Sequence, residues 1–205
     1  MRRQITRVLT VAVLLVGVWN VQSTSLAAAD ATSSKAYFAG GCFWCMEEAF
    51  EKVEGVLSAT SGYMGGTVSN PTYEEVSAGR TGHAESVEVV YDSAKVSYQK
   101  LLDAFWRNVD PITPNAQFCD HGNQYRSAIF FQTDEEKRAS DSSKQAIEQS
   151  RRFKEPIVTQ IAMAQQFYPS EDYHQDFYKK NPIRYKFYKY NCGRVQRLEE
   201  LWGKP

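Results

Sequence analysis

The sequence predicts a single α+β domain, one sheet with helices packed over it and parallel in part. Three observations carry this. Segments of strand-like alternation take turns with segments of helical spacing, the strands are few, and the connections are long. No serine-rich or glycine-rich linker divides the chain, and no internal repeat is visible.

The domain is expected to follow a leader. Arg2, Arg3 and Arg7 form a positive start, Val8 to Val18 an apolar run, and Ala27 and Ala29 a small-x-small cleavage site. The run is shorter than the ~20 apolar residues of a membrane span. Residues 1–29 therefore read as a signal peptide and residues 30–205 as the mature domain, which implies export to the periplasm or secretion. A retained anchor is the alternative. Of 205 residues, 176 remain after Ala29, enough to bury a core without disulfide staples. Losing three arginines leaves 21 basic against 24 acidic residues. That balance gives no electrostatic footing for nucleic acid or an anionic membrane surface.

Along the chain, Ala36-Tyr37-Phe38-Ala39 predicts a strand that ends at the breaker pair Gly40-Gly41. Phe43, Met46, Phe50 and Val53 then recur at helical spacing, with Gly55 as the stop. Ser61 to Gly82 reads as a long irregular excursion. Ala84 to Tyr91 alternates as a strand, with Glu85, Val87, Val89 and Tyr91 on one face. Ser97 is placed to cap a helix carrying Leu101, Leu102, Phe105 and Val109. Ile112 to Gly122 is a polar loop, and Tyr125 to Phe131 a strand. Thr133 and Glu136 predict a capping box for a helix running to about Phe153. Ile157 to Ala164 predicts a strand. Ser170 is placed to cap a short aromatic helix ending near Asn181-Pro182. Val195, Leu198, Leu201 and Trp202 predict a last helix.

The four cysteines, Cys42, Cys45, Cys119 and Cys192, all lie beyond the leader. Cys42 falls at a helix N-terminus, where the dipole favours thiolate over thiol. Phe43 and Trp44 put aromatic surface beside the sulfur, suited either to core packing or to holding a methyl group. The Cys42/Cys45 spacing has three ordinary meanings: a redox pair, half a metal site that Cys119 and His121 would complete, or chance. Two structural disulfides are the plain reading for an exported domain. Glu85 shares its face with apolar residues, where desolvation raises a carboxyl pKa. Asp120 to Ser127 offers a carboxylate, an amide, a phenol and a guanidinium close together. Tyr168, Tyr173, His174, Phe177 and Tyr178 form an aromatic cluster, read as core packing.

Gly41-Cys42-Phe43-Trp44, the stretch from Gly62-Tyr63 to Asn70-Pro71-Thr72-Tyr73, Thr81-Gly82-His83-Ala84-Glu85 and Gly122-Asn123-Gln124-Tyr125-Arg126-Ser127 together resemble the signatures of the peptide methionine sulfoxide reductase A family, in order and spacing. The resemblance spans roughly Ala36 to Trp202. It implies a two-layer α/β sandwich around a mixed sheet. It implies Cys42 as nucleophile, Phe43 and Trp44 around the substrate methyl, and Glu85, Tyr73 and Tyr125 around the sulfoxide oxygen, with Glu85 giving the proton. Asp120 matches an acidic residue that organises the site.

Under that resemblance the substrate is the S epimer of methionine sulfoxide, in oxidised proteins or free. A second thiol condenses with the Cys42 sulfenic acid, and thioredoxin or a similar dithiol reduces the resulting disulfide. No cofactor, no metal and a monomer are expected. Cys192, in Tyr190-Asn191-Cys192-Gly193 before the last helix, resembles the recycling cysteine. Cys45 stands where the family often has glycine, and Cys119 adjoins Asp120, so both compete for that role. Two other functions stay open: a general thiol–disulfide oxidoreductase using Cys42 and Cys45, which would not need Glu85, and a binding domain with all four thiols blocked.

Overall fold

A computed structural model describes residues 33–204; the signal-peptide reading lies outside them. Among the described residues no helix is long and apolar enough to cross a membrane. The elements run β1 (Ser33–Gly40), α1 (Phe43–Glu51), β2 (Val56–Met64), α2 (Tyr73–Ser77), β3 (Ala84–Asp92), α3 (Tyr98–Arg107), β4 (Ala116–Gln117), β5 (Asp120–His121), β6 (Ser127–Phe131), α4 (Asp134–Gln149), β7 (Gln160–Met163), β8 (Tyr168–Pro169), α5 (Phe177–Lys180), α6 (Pro182–Asn191) and α7 (Arg194–Trp202). The sheet order is β7-β6-β1-β3-β2-β8. Every pairing is antiparallel except β6 with β7, so the sheet is mixed, and β4 with β5 forms a separate small hairpin.

Strand alternation sorts the two faces of this sheet. Ala36 and Phe38 of β1, Val87, Val89 and Tyr91 of β3, Ala59 and Tyr63 of β2 and Ile129 of β6 enter the main core. That core is closed by Phe43, Met46 and Phe50 of α1 and by Leu101, Leu102, Phe105 and Trp106 of α3. Phe38 stacks on Phe50 at 4.7 Å and on Phe105 at 5.4 Å, tying strand to both helices. Burying each such ring stabilises by about 2–3 kcal/mol. The opposite face carries a smaller cluster of Ala39, Met64, Ala84, Ala128 and Phe130, covered by Phe167. Because Glu85 has the parity of Val87, it projects toward α1, as the alternation predicts.

Several expectations need correction. Ser61 to Gly82 is irregular only between Gly65 and Thr72 and again after Ser77. Its start belongs to β2, an interior strand flanked by β3 and β8, and Tyr73–Ser77 is helical. Ser61 is tolerated there because its hydroxyl donates to Glu47 Oε2 at 2.7 Å and its N–H to Gln175 Oε1 at 3.0 Å. Partners supplied from far along the chain overrode the weak strand propensity of the segment. Tyr125 ends a 3-10 turn from Asn123, and β6 begins only at Ser127. Thr133 caps α4 through Glu136 N at 3.2 Å, but Glu136 Oε2 accepts from Gln132 N instead of closing the box, and α4 ends at Gln149. The strand from Ile157 is confined to Gln160–Met163. Ser170 caps nothing; its hydroxyl donates to Ser61 O at 3.0 Å. Ile112 to Gly122 contains the β4–β5 hairpin. Cys192 is not in a loop: it is the C-cap of α6, and Gly193 alone separates it from α7.

Candidate active site

The turn Gly40-Gly41 ends β1 and starts α1. Gly41 takes φ +76, and a Cβ there would stand 2.4 Å from the Gln117 Cβ, so the position demands glycine. The turn sets Cys42 as the N-cap of α1, its carbonyl accepting from Cys45 N at 3.1 Å. Cys42 is 6 % exposed. It opens onto a cavity of about 240 Å³ lined by Cys42, Phe43, Trp44, Tyr73, Glu85 and Asp120, with Tyr125, Arg184 and Tyr188 completing the wall. Seven of the eight site residues expected from sequence thus meet here, carried by α1, α2, β3, β5 and the turn before β6. A larger groove of about 1080 Å³ between α3 and α4 is lined by mixed charged, polar and apolar side chains and includes none of the cysteines.

Glu85 is fixed by its own neighbour in space: Phe43 N donates to Glu85 Oε2 at 3.0 Å. Burial pushes its carboxyl up to about 8, against the pull of that hydrogen bond. Glu85 therefore holds a proton near neutrality, and one oxygen is left to present it to the cavity. Tyr73 is set by Glu171, which accepts from Tyr73 N at 2.8 Å and from the Tyr63 hydroxyl at 2.8 Å. Burial raises the phenols of Tyr73, to about 12, and of Tyr125, so both remain donors. The indole of Trp44 stacks on Phe177 at 3.8 Å and donates through Nε1 to His174 Nδ1 at 3.1 Å. The aromatic cluster of the sequence therefore divides: His174 and Phe177 hold the Trp44 ring, Tyr168 packs on His83, and Tyr178 donates to Glu51.

The thiols differ from the expectation in one respect. A helix dipole stabilises a thiolate by only ~0.3–1 kcal/mol. Burial outweighs it: desolvation, then the neighbouring Cys45 and Glu85, push the Cys42 thiol up. Cys45, hydrogen-bonded to Cys42, is drawn down to about 6 by that bond, by the guanidinium of Arg194 and by the Tyr185 hydroxyl.

Cys192 does not line the cavity. It is bonded to Cys119, with Cα atoms 4.8 Å apart, while Cys42 and Cys45 are free. This removes the fully blocked binding domain and the metal site completed by Cys119. Tyr188 stands between the two centres. Its hydroxyl donates to Asp120 Oδ2 at 2.5 Å, lies 3.9 Å from Cys192 Sγ and reaches the Cys42 sulfur. Asp120 itself is raised by burial and held by Tyr188. Arg184, Tyr188 and Arg194 were not singled out from sequence. The helix bearing the first two exposes Ile183 and Phe187, which hides its buried face from any periodicity count.

Comparison with known proteins agrees with this geometry. The family model described as peptide methionine sulfoxide reductase matches residues 34–205. Peptide methionine sulfoxide reductase MsrA of Halalkalibacterium halodurans is 48% identical over 170 residues, covering 83% of this chain and 97% of that one. Among solved structures, Mxr1 of Saccharomyces cerevisiae in reduced form superposes with TM-score 0.69 at 31% identity, over 74% of this chain and 87% of that one. Methionine sulfoxide reductase A of Corynebacterium diphtheriae superposes with TM-score 0.67 at 33% identity, over 74% and 76%.

Proposed function

The chain belongs to the peptide methionine sulfoxide reductase family, and from that premise we propose how its residues divide the work. The carrying observation is that one small cavity joins a nucleophilic sulfur, a buried carboxyl that is neutral near pH 7, two phenol donors and an aromatic wall. A sulfoxide is a poor electrophile until its oxygen is protonated or strongly hydrogen-bonded. Glu85 gives the proton and Tyr73 and Tyr125 add donors, where burial strengthens each interaction. Phe43 and Trp44 hold the methyl group, and the S epimer is the one accepted.

The Cys42 sulfur attacks the sulfoxide sulfur and its proton leaves to the Cys45 sulfur. The protonated oxygen ends on Cys42 as a sulfenic acid, and the thioether departs. Cys192 then resolves the sulfenic acid. The support is that Cys192 and Cys42 flank the same Tyr188 hydroxyl, and that Cys192 sits on a one-glycine junction between helices. Exchange with Cys119 carries the disulfide from a buried sulfur to an exposed residue, where a thioredoxin-like dithiol has access. Mxr1, similar to this chain in its reduced form, also has a structure in complex with Trx2. A general disulfide oxidoreductase would have no use for the neutral Glu85.

We also hold to export through the leader, with a mature monomer beginning at Asp30. Intact mass of exported protein checks the cleavage; a mass that retains residues 1–29 would mean an anchored protein. For the chemistry, Cys42→Ser is expected to yield no thioether in a single turnover without reductant. Stoichiometric product from that variant would sink the assignment.

A further inference from the structure

The structure shows the chain with its outer pair closed and its inner pair open: Cys119 bonded to Cys192, Cys42 and Cys45 free. In this state Cys42 is still placed to attack a second sulfoxide. The sulfenic acid formed then has no Cys192 thiol to meet. Cys45 is the thiol at hand, hydrogen-bonded to Cys42 and one helical turn along α1, with both sulfurs buried in one cluster with Phe177 and Tyr185.

The surroundings of Cys45 suit a nucleophile. Arg194 is 2 % exposed. Its guanidinium donates to Asn108 O at 2.6 Å, to Gly40 O at 3.4 Å and to Met46 Sδ at 3.2 Å, all neutral acceptors. A buried cation is costly unless a negative charge balances it. Arg194 lies 4.4 Å over the Phe118 ring and acts electrostatically on the Asp120 carboxyl and the Cys45 thiol, lowering the pKa of both. The Tyr185 hydroxyl, itself donating to Glu48 Oε2 at 2.6 Å, adds a dipole at the same sulfur.

We infer that Cys45 is a second resolving thiol, so that the fully reduced chain turns over two sulfoxides before it needs reductant and stores them as the Cys119–Cys192 and Cys42–Cys45 disulfides. The inference rests on the reading of Cys42 as the sulfoxide-reducing nucleophile. The step balances: the Cys45 sulfur, carrying the proton it took from Cys42, attacks the Cys42 sulfenic sulfur, the S–S bond forms, the S–O bond breaks, and hydroxide leaves with that proton as water. Each sulfoxide is the oxidant for one disulfide. The inner disulfide is discharged through Cys192 once the outer pair has been reduced, since its own sulfurs are buried.

The test is a count of equivalents. Fully reduced, desalted chain is mixed with excess methionine sulfoxide peptide and dimedone, without reductant. Thioether is counted, and the cysteines are mapped by mass spectrometry. The wild type is expected to give two thioethers, both disulfides and no dimedone adduct. Cys45→Ser is expected to leave Cys42 as a dimedone adduct. In Cys119→Ser/Cys192→Ser one thioether and the Cys42–Cys45 disulfide are expected, and this variant keeps the whole inner site. One thioether only in the wild type, or a Cys42 adduct in the wild type or the double variant, overturns the inference while leaving the activity in place. Absence of thioether in all three would instead defeat the reading of Cys42.

Discussion

Glu85 pays for its role in stability, and the sign of that cost can be measured. Its folded carboxyl titrates at about 8, against an ordinary 4.5. Below about pH 4.5 both folded and unfolded chains carry the proton and nothing is lost. Between about 4.5 and 8 the unfolded carboxyl ionises while the folded one stays neutral, so stability falls as pH rises, by an amount on the order of a few kcal/mol. Above 8 the full cost remains. Glu85→Gln removes this dependence, so the variant should match the wild type near pH 4 and exceed it at pH 8 in denaturant titrations. The same substitution should slow single-turnover reduction by about 10²-fold or more, because an amide cannot deliver a proton. The wild-type rate should decline as pH rises through about 8, and the variant should lose that inflection. An unchanged rate in Glu85→Gln would reduce Glu85 to a strand residue.

At the scale of elements, the fold was legible where local pattern and tertiary role agree. α1, β3, α3 and α7 each show their buried face in the spacing of their apolar residues. β2 was not legible, because Ser61 and Gly62 occupy an interior strand on the strength of hydrogen bonds from Gln175 and β8. α6 was missed for the opposite reason: its exposed side carries Ile183, Phe187 and Tyr190, while Tyr185 and Tyr188 do the inward work. Cys42, Phe43, Trp44 and Glu85 stood out by their local chemistry and Tyr73, Tyr125 and Asp120 by motif resemblance, whereas the Cys119–Cys192 pairing had no sequence signal, since four cysteines allow three pairings. The position of Cys192 makes a prediction at this scale. With Gly193 at φ +68 and open space around it, the α6–α7 junction can turn and release the sulfur. Cys192→Ser should therefore produce about one thioether per chain and then stop with thioredoxin as the sole reductant, the remaining oxidised sulfur being buried. Dithiothreitol should partly restore turnover. Sustained thioredoxin-driven turnover by Cys192→Ser would assign the resolving role elsewhere.

For the whole molecule, the proposed route opens the Cys119–Cys192 disulfide in each cycle, which requires that this bond not be what holds the fold together. The Cys119–Cys192 bond spans a sequence separation of 73 residues. Loop-closure entropy for that span corresponds to about 4 kcal/mol of stabilisation by restriction of the unfolded chain. A small domain would unfold without it. Here the mixed sheet buries a core from β6 to β2 under α1 and α3 that includes neither cysteine. The two ends of the bond are also tied down independently: Tyr188 donates to Asp120, Arg194 to Asn108 O, and Trp202 Nε1 to Val109 O at 2.9 Å. Reduction should therefore leave the fold native and lower its melting temperature, on the order of 10 °C for a domain of this size. Far-ultraviolet circular dichroism of the oxidised and fully reduced chain, melted side by side, checks both parts. Loss of the native spectrum on reduction would make the bond structural, and the route from Cys42 through Cys192 to the surface would then need another carrier.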